Sequence, residues 1–323
     1  MGRRVEVTVR NDRPIQAEPE TRSAGPASRG RSGRVPGLKL SRLWVLPALV
    51  PVTLLRYVAV AIGAYYAFTS WDGVSVDATW VGLANFKQIF SDDVARKALW
   101  NTLILASLGV LLSNVIGLLL ALALNRLLKT RHLLRSMFFA PFAITPLAVS
   151  YVWAYIFDYD GLLNRVLGWV GLSGWRHVWT ADPHWAIWTI LIVLVWQLSG
   201  LCLIIYLSGL QGIPDEVLEA SELDGAGHFA RFRHVLLPML NPAVTIAVAL
   251  PTIMTLRVFD QVIGLTGGGP AEATETLATQ VYRQSFANGN YGYGAAIALV
   301  LTVLIAVVAL LQIFVLRRRG DTE

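Results

Sequence analysis

Between Gly212 and Pro238 the residue types and spacings suit mechanical work on a partner better than bond chemistry. Asp215, Glu219 and Glu222 stand four and then three residues apart, which places three carboxylates on one stripe of a helix, with Val217, Leu218 and Ala220 supplying apolar surface beside them. Pro214 suits the first helical turn, and Asp215 and Glu216 lie where the helix dipole favours negative charge. Gly225 can take the positive φ that ends such a helix. Beyond it Phe229, Phe232, Val235 and Leu236 recur at helical spacing, with His228, Arg231, Arg233 and His234 offering polar and basic groups, and Pro238 marks entry to the next element. The pattern predicts two short amphipathic helices joined at a glycine elbow. A groove on a soluble partner could grip the small Ala220 and Ser221 face, and its basic residues could pair with Glu219 or Asp224. On charge alone the stripe reads as a solvated helix face; the elbow and the Leu237-Pro238 exit at fixed spacing favour docking.

Other constellations carry less. His132, His177, His184, His228 and His234 have no metal-ligand spacing, and a lone Cys202 excludes an intrachain disulfide and a cysteine-rich metal site. Gly267-Gly268-Gly269-Pro270 lacks the Lys-Ser/Thr of a phosphate loop and reads as a turn. Ser208-Gly209 does not make a nucleophile elbow, so no hydrolase is indicated. Arg257 and Asp260, one helical turn apart in an apolar stretch, read equally as part of a solute pathway and as a structural ion pair. Tyr151, Trp153, Tyr155, Trp196 and Gln197 could stack on and hydrogen-bond a sugar, although interfacial or core packing is the stronger reading of each aromatic.

These residues need a scaffold, and composition says what kind. Of 323 residues 55% are hydrophobic and only 15% charged, more apolar surface than one soluble core hides. Helices of roughly 20 apolar residues satisfy their own backbone in lipid, and the windows predict an all-α, polytopic membrane protein with six spans. They fall at about 43–69, 98–124, 136–157, 184–212, 239–262 and 291–316, within a transmembrane domain of 41–319, with the docking loop at 213–238. Residues 1–40, rich in Arg, Gly, Pro and Ser, predict a disordered basic tail and not a cleaved signal peptide; 320–323 form a short C-terminal tail. The net charge of +6 does not call for nucleic acid, because the basic residues sit at the termini and in short connections. Arg126, Lys129, Arg131 and Arg135 occupy the second connection, Arg231 and Arg233 the fourth, and Arg317 to Arg319 the end. The acidic Asp72, Asp77, Asp92, Asp93, Asp158, Asp160, Asp182, Glu272 and Glu275 occupy the first, third and fifth. Positive residues are retained inside, so both termini and the docking loop are expected in the cytoplasm.

Glu219-Ala220-Ser221, Asp224-Gly225-Ala226, Phe232 and Leu237-Pro238 stand in the order and spacing of the EAA loop, and the chain resembles the permeases of binding-protein-dependent ABC importers. Phe68-Thr69-Ser70-Trp71, Val81 to Phe86, Asn101-Thr102-Leu103, Phe259-Asp260, Leu265 to Pro270 and Ala273 to Leu277 resemble the carbohydrate-uptake branch, and the likeness covers nearly everything after residue 40. Ser221 stands where the motif has a second Ala, and Arg56 interrupts a first span that is usually apolar, so it should snorkel or find a partner. The resemblance implies an importer-permease fold in the bacterial cytoplasmic membrane and alternating access driven by an ATPase dimer that grips the loop. It also implies a second, related permease, a solute-binding protein outside, and a sugar or oligosaccharide as cargo. This chain would be no enzyme and bind no cofactor or metal, since the partner ATPase uses ATP-Mg. Other small solutes, such as glycerol phosphate or a polyamine, remain open; a secondary transporter would need an ion-coupling site or inverted repeats, neither of which stands out.

Overall fold

The computed structural model describes residues 46–125 and 130–320. The expected basic tail, Arg126, Lys129 and residues 321–323 lie outside the described residues, and Arg317 to Arg319 are described only as helical backbone. The chain divides into two units, Met1–Val52 and Thr53–Glu323, and the described part of the first lies in helix α1 (Leu46–Thr53).

From Thr53 onward nearly every element is helical. A π-helical turn, Leu54–Val58, leads to α2 (Ala59–Tyr66); α3 (Ala84–Ser91) and α4 (Asp93–Leu124) follow. Next come α5 (Arg131–Ala143), α6 (Pro146–Phe157), α7 (Leu162–Trp169) and α8 (Ala186–Gln211). The docking segment holds α9 (Asp215–Leu223), α10 (His228–Arg231), a π-helical turn over Phe232–Leu236, and α11 (Leu237–Met239). After it run α12 (Asn241–Leu256), α13 (Asp260–Leu265), α14 (Leu277–Tyr282) and α15 (Tyr291–Gly320). Extended pairing among the described residues is limited to a single bridge, Thr69 to Trp80.

Four helices are long and apolar enough to cross a bilayer unbroken: Leu49–Tyr66, Asp93–Leu124, Ala186–Gln211 and Tyr291–Phe314. The windows at 136–157 and 239–262 are not the straight spans expected. Arg131–Ala143 and Pro146–Trp169 meet at 99°, and His228–Met239 meets Asn241–Leu256 at 70°. At the first bend Thr145 is extended, with ψ 136°, because the ring of Pro146 crowds the helical region of the residue before it. A second interruption, at 257–259, separates α12 from α13 inside the fifth window.

The interior is set by α4 and α8. Asp92 caps α4 by accepting from the Val94 amide at 2.9 Å. The buried residues of α4 include Ala98, Thr102, Ala106, Gly109, Ser113, Gly117 and Ala121, small side chains at spacings of three and four that let another backbone come close. At Gly117 a Cβ would stand 2.9 Å from the Leu203 amide nitrogen, so α8 presses directly on it. Asn114 then ties three helices together: its amide donates to the Ala247 carbonyl of α12 at 3.0 Å and its oxygen accepts from Tyr206 of α8 at 2.7 Å. Around this frame lie three apolar clusters, one of which joins Leu203, Leu207, Leu210 and Ile213 to Leu240 and Ala243 at the root of the docking segment.

Candidate coupling lever and solute path

The lever is built by local rules. Pro214 is extended, with ψ 137°, and precedes the helix, so α9 begins at Asp215, one residue later than a proline in the first turn implies. At the far end Gly225 takes φ 76°. The Gly225 amide donates to Glu222 O at 3.0 Å and the Ala226 amide to Ser221 O at 3.1 Å, the paired reversal that closes a helix on a left-handed residue. Arg231 of α10 reaches back to the Glu222 carboxylate and braces the elbow. Past the elbow the chain is a composite of α10, a π-helical turn and α11 before it turns 70° into α12, where one continuous second helix was expected.

The side chains sort into tip and root. Glu219, Ala220 and Asp224 are exposed, and among the described residues neither acid has a basic partner. Ser221 is buried and its hydroxyl donates to Leu218 O at 2.7 Å, so it belongs to the inner face and not to the surface that a partner could grip. Leu223 and Phe229 stand at the tip, 89% and 76% exposed, and spacing arguments passed over Leu223 because it lies next to the elbow and off the acidic stripe. Phe232, Leu237 and Pro238 are half-buried. Leu218 and Leu236 pack on the cluster of Leu210, Ile213 and Leu240, so both arms of the lever are rooted in the ends of α8 and α12.

The solute-path candidates separate. Tyr151 and Tyr155 are exposed one turn apart on α6. Gln197 is buried, and its amide donates to Pro141 O at 3.2 Å and Ile144 O at 3.4 Å, carbonyls freed where α5 breaks from α6; its oxygen accepts from Gln261 at 3.0 Å. It therefore holds the bend. Arg257 and Asp260 flank the interruption between α12 and α13, both are exposed, and no ion pair joins them, which removes the structural-pair reading.

One assembly was missed altogether. Glu275, counted as a solvent-facing acid of the fifth connection, is completely buried. Its Oε2 accepts from Thr279 Oγ1 at 2.6 Å, and its Oε1 lies 2.5 Å from Arg283 Nη2, a charge contact without the alignment of a hydrogen bond. Gly268, at φ 87°, lies so close that a Cβ there would collide with the carboxylate. Asn101 of α4 donates to the carbonyls of Ala273 and Glu275, both at 2.9 Å, and Thr276 Oγ1 donates to Val258 O at 3.0 Å. The Gly267-to-Pro270 turn is thus one side of a clasp that ties the fifth connection to α4 and to the α12–α13 interruption. A signal was present in the sequence, since Asn101-Thr102 and Ala273 to Leu277 both belong to the resemblance, but nothing in either stretch says that they meet. Among the described residues no cluster of His, Cys, Asp or Glu could hold a metal.

Comparison with known proteins matches residues 113–320, more than half of the chain, to the family described as binding-protein-dependent transport system inner membrane component. The chain is 35% identical over 278 residues to a probable ABC transporter permease of Pyrococcus horikoshii, covering 86% of this chain and 95% of that protein. It is 34% identical over 279 residues to the multiple sugar-binding transport system permease protein MsmF of Streptococcus mutans, covering 85% and 95%. Its fold matches a chain of a bacterial alginate ABC transporter, crystallised with an alginate pentasaccharide-bound periplasmic protein, with a TM-score of 0.74 at 24% identity over 87% of this chain and 97% of that one.

Proposed function

Because this chain belongs to the family of binding-protein-dependent transport system inner membrane components, we propose that it is the translocating subunit of an ATP-driven importer of sugars or oligosaccharides, multi-pass in the bacterial cytoplasmic membrane. The sugar assignment is supported by MsmF, which is named for multiple sugar-binding transport, and by the carbohydrate-branch motifs along the chain. Six crossings are counted when each bent pair is taken as one span. The charge distribution supports a cytoplasmic position for both termini and the lever.

The observation that carries the mechanism is the elbowed lever itself: an exposed tip of Glu219, Ala220, Leu223, Asp224 and Phe229 whose two arms are rooted in α8 and α12. A cytosolic ATPase that grips the tip through Glu219, Ala220 and Asp224, with Gly225 and Ala226 keeping the elbow sharp, would move both spans together. Ser221, Phe232, Leu237 and Pro238 belong to the stiff part that transmits the motion. ATP binding by a dimer of such ATPases, one gripping this chain and one a second, related permease, closes the inner side; hydrolysis reopens it. A solute-binding protein delivers cargo from outside. The permease contributes shape and motion, and the bond chemistry belongs to the ATPase.

The test is coupling in the assembled transporter reconstituted into vesicles. Glu219→Lys and Gly225→Asp each insert and assemble, yet ATP-dependent uptake falls at least tenfold, and cysteine cross-links from the tip to the ATPase are lost. Normal uptake by both variants would sink the assignment of the lever.

A further inference from the structure

Arg257 is a cation without an ion-pair partner among the described residues. α12 ends at Leu256, Arg257 leaves the helical region with φ −102° and ψ 19°, and Phe259 opens α13 at φ −133°. The interruption is fixed in place by Val258, which is buried and whose carbonyl accepts from Thr276. Arg257 is exposed and, among the described residues, makes neither a hydrogen bond nor an ion pair, although Asp260 stands one turn away. It borders two clefts. The larger, of about 530 Å³, lies among α12, α14 and α15, where Arg257 is the sole charged lining residue and Phe259 and Thr302 line it too. The smaller, of about 260 Å³, shares Arg257 and Phe259 and adds Asp260 and Gln261, the latter reaching Gln197 at the α5–α6 bend.

An unpaired cation at the end of a membrane-spanning helix is uncommon, and such residues mark places where a counter-charge arrives during function. The guanidinium presents a flat fork of donors that matches a carboxylate or another oxyanion. Beside it the Phe259 ring, met edge-on by Tyr282 at 5.6 Å between centroids, offers an apolar face of the kind a sugar ring covers. We propose that the solute carried past Arg257 is an anionic carbohydrate, a sugar bearing a carboxylate or comparable oxyanion, whose charge Arg257 neutralises while Phe259 covers its ring. The proposal rests on the importer reading above and deepens it to a substrate class.

The experiment uses the complete transporter in vesicles with its binding protein. It compares ATP-dependent uptake of a uronate disaccharide, digalacturonate, with that of neutral galactobiose, each rate normalised to the binding protein's affinity for that sugar. Wild type is expected to favour the uronate at least tenfold. In Arg257→Gln the uronate-to-neutral ratio falls at least tenfold, whereas Arg257→Lys, which keeps the charge, stays within threefold of wild type. A wild-type preference for galactobiose, or a ratio unmoved in Arg257→Gln, overturns the proposal. So does loss of the second permease from Arg257→Gln but not from Arg257→Lys, because the counter-charge would then lie in that subunit. A charge effect that follows anionic against zwitterionic vesicle lipid and not the cargo overturns it in favour of a headgroup. Failure of wild type to couple ATP to uptake of any sugar that its binding protein holds strikes the importer reading itself and is told apart by that.

Discussion

At the scale of single residues, the chain places its charges by two opposite rules. Glu275 is fully enclosed and answered by Arg283, Thr279 and a glycine that makes room for it, whereas Arg257 is left open with no ion pair among the described residues. Removing one member of a buried pair typically costs about 3–5 kcal/mol, and Arg283 is 32% exposed and part-solvated, so Glu275→Gln is expected to cost about 2 kcal/mol by that comparison. Thermal unfolding of the detergent-solubilised transporter checks this, and Arg283→Gln in the same background should add only the loss of its part-exposed contacts to Glu272 and to the Gly267 carbonyl, less than Arg283→Gln costs in wild type. A third charge sits in the first connection. Asp72 accepts from the amides of Val74 and Ser75 at 3.0 and 2.8 Å and from the Ser75 hydroxyl at 2.8 Å. These bonds, the Ser75 amide first, hold its carboxyl down at about 2 from an ordinary 3.8. A lowered folded value means the turn is supported at every pH above the unfolded value and loses that support as pH falls through about 2. The protection factors of the Val74 and Ser75 amides, which remove the intrinsic pH dependence of exchange, should therefore fall across that window in wild type and be low at every pH in Asp72→Asn.

At the scale of elements, the lever shows what local pattern can and cannot convey. Its first helix and elbow were legible because they depend on neighbours in sequence, an acidic first turn and a glycine at the reversal, whereas the division of the second arm into α10, a π-helical turn and α11 was not. Which side of α9 is exposed was not legible either, because Ser221 turns inward only when Leu218 and Leu236 find the cluster on α8 and α12. Leu236→Asp should loosen the root without touching the tip. ATP hydrolysis by the assembled transporter is expected to persist while uptake drops at least fivefold, and limited proteolysis should cut between Asp224 and His228 sooner than in wild type. The broken spans carry the same lesson. Pro146 and the prolines around α12 were visible as interruptions. That Gln197, 56 residues from Pro141, satisfies the carbonyls freed at the first bend is a long-range fact with no local trace.

For the molecule as a whole, orientation is the claim that most needs a direct reading. Cys202 of α8 is buried against α4 and α12 and should resist labelling, so single cysteines can be introduced without a cleared background. A membrane-impermeant thiol reagent added outside intact cells is expected to label Val76→Cys, which is fully exposed, and to spare Leu223→Cys, with the reverse in inside-out vesicles. Labelling of Leu223→Cys from outside would invert the whole topology. The amino-acid sequence by itself determined the helical membrane architecture, the apolar windows, the charge asymmetry and the elbow of the lever. Each of these rests on composition or on spacings of three, four or about twenty residues, the distances over which the backbone and the bilayer act. Only the tertiary structure decided that Glu275 is buried, that Arg257 and Asp260 stay apart, and that Asn101 grips a loop some 170 residues away. Those outcomes depend on which helices pack, and packing brings together side chains whose separation along the chain carries no periodic signal.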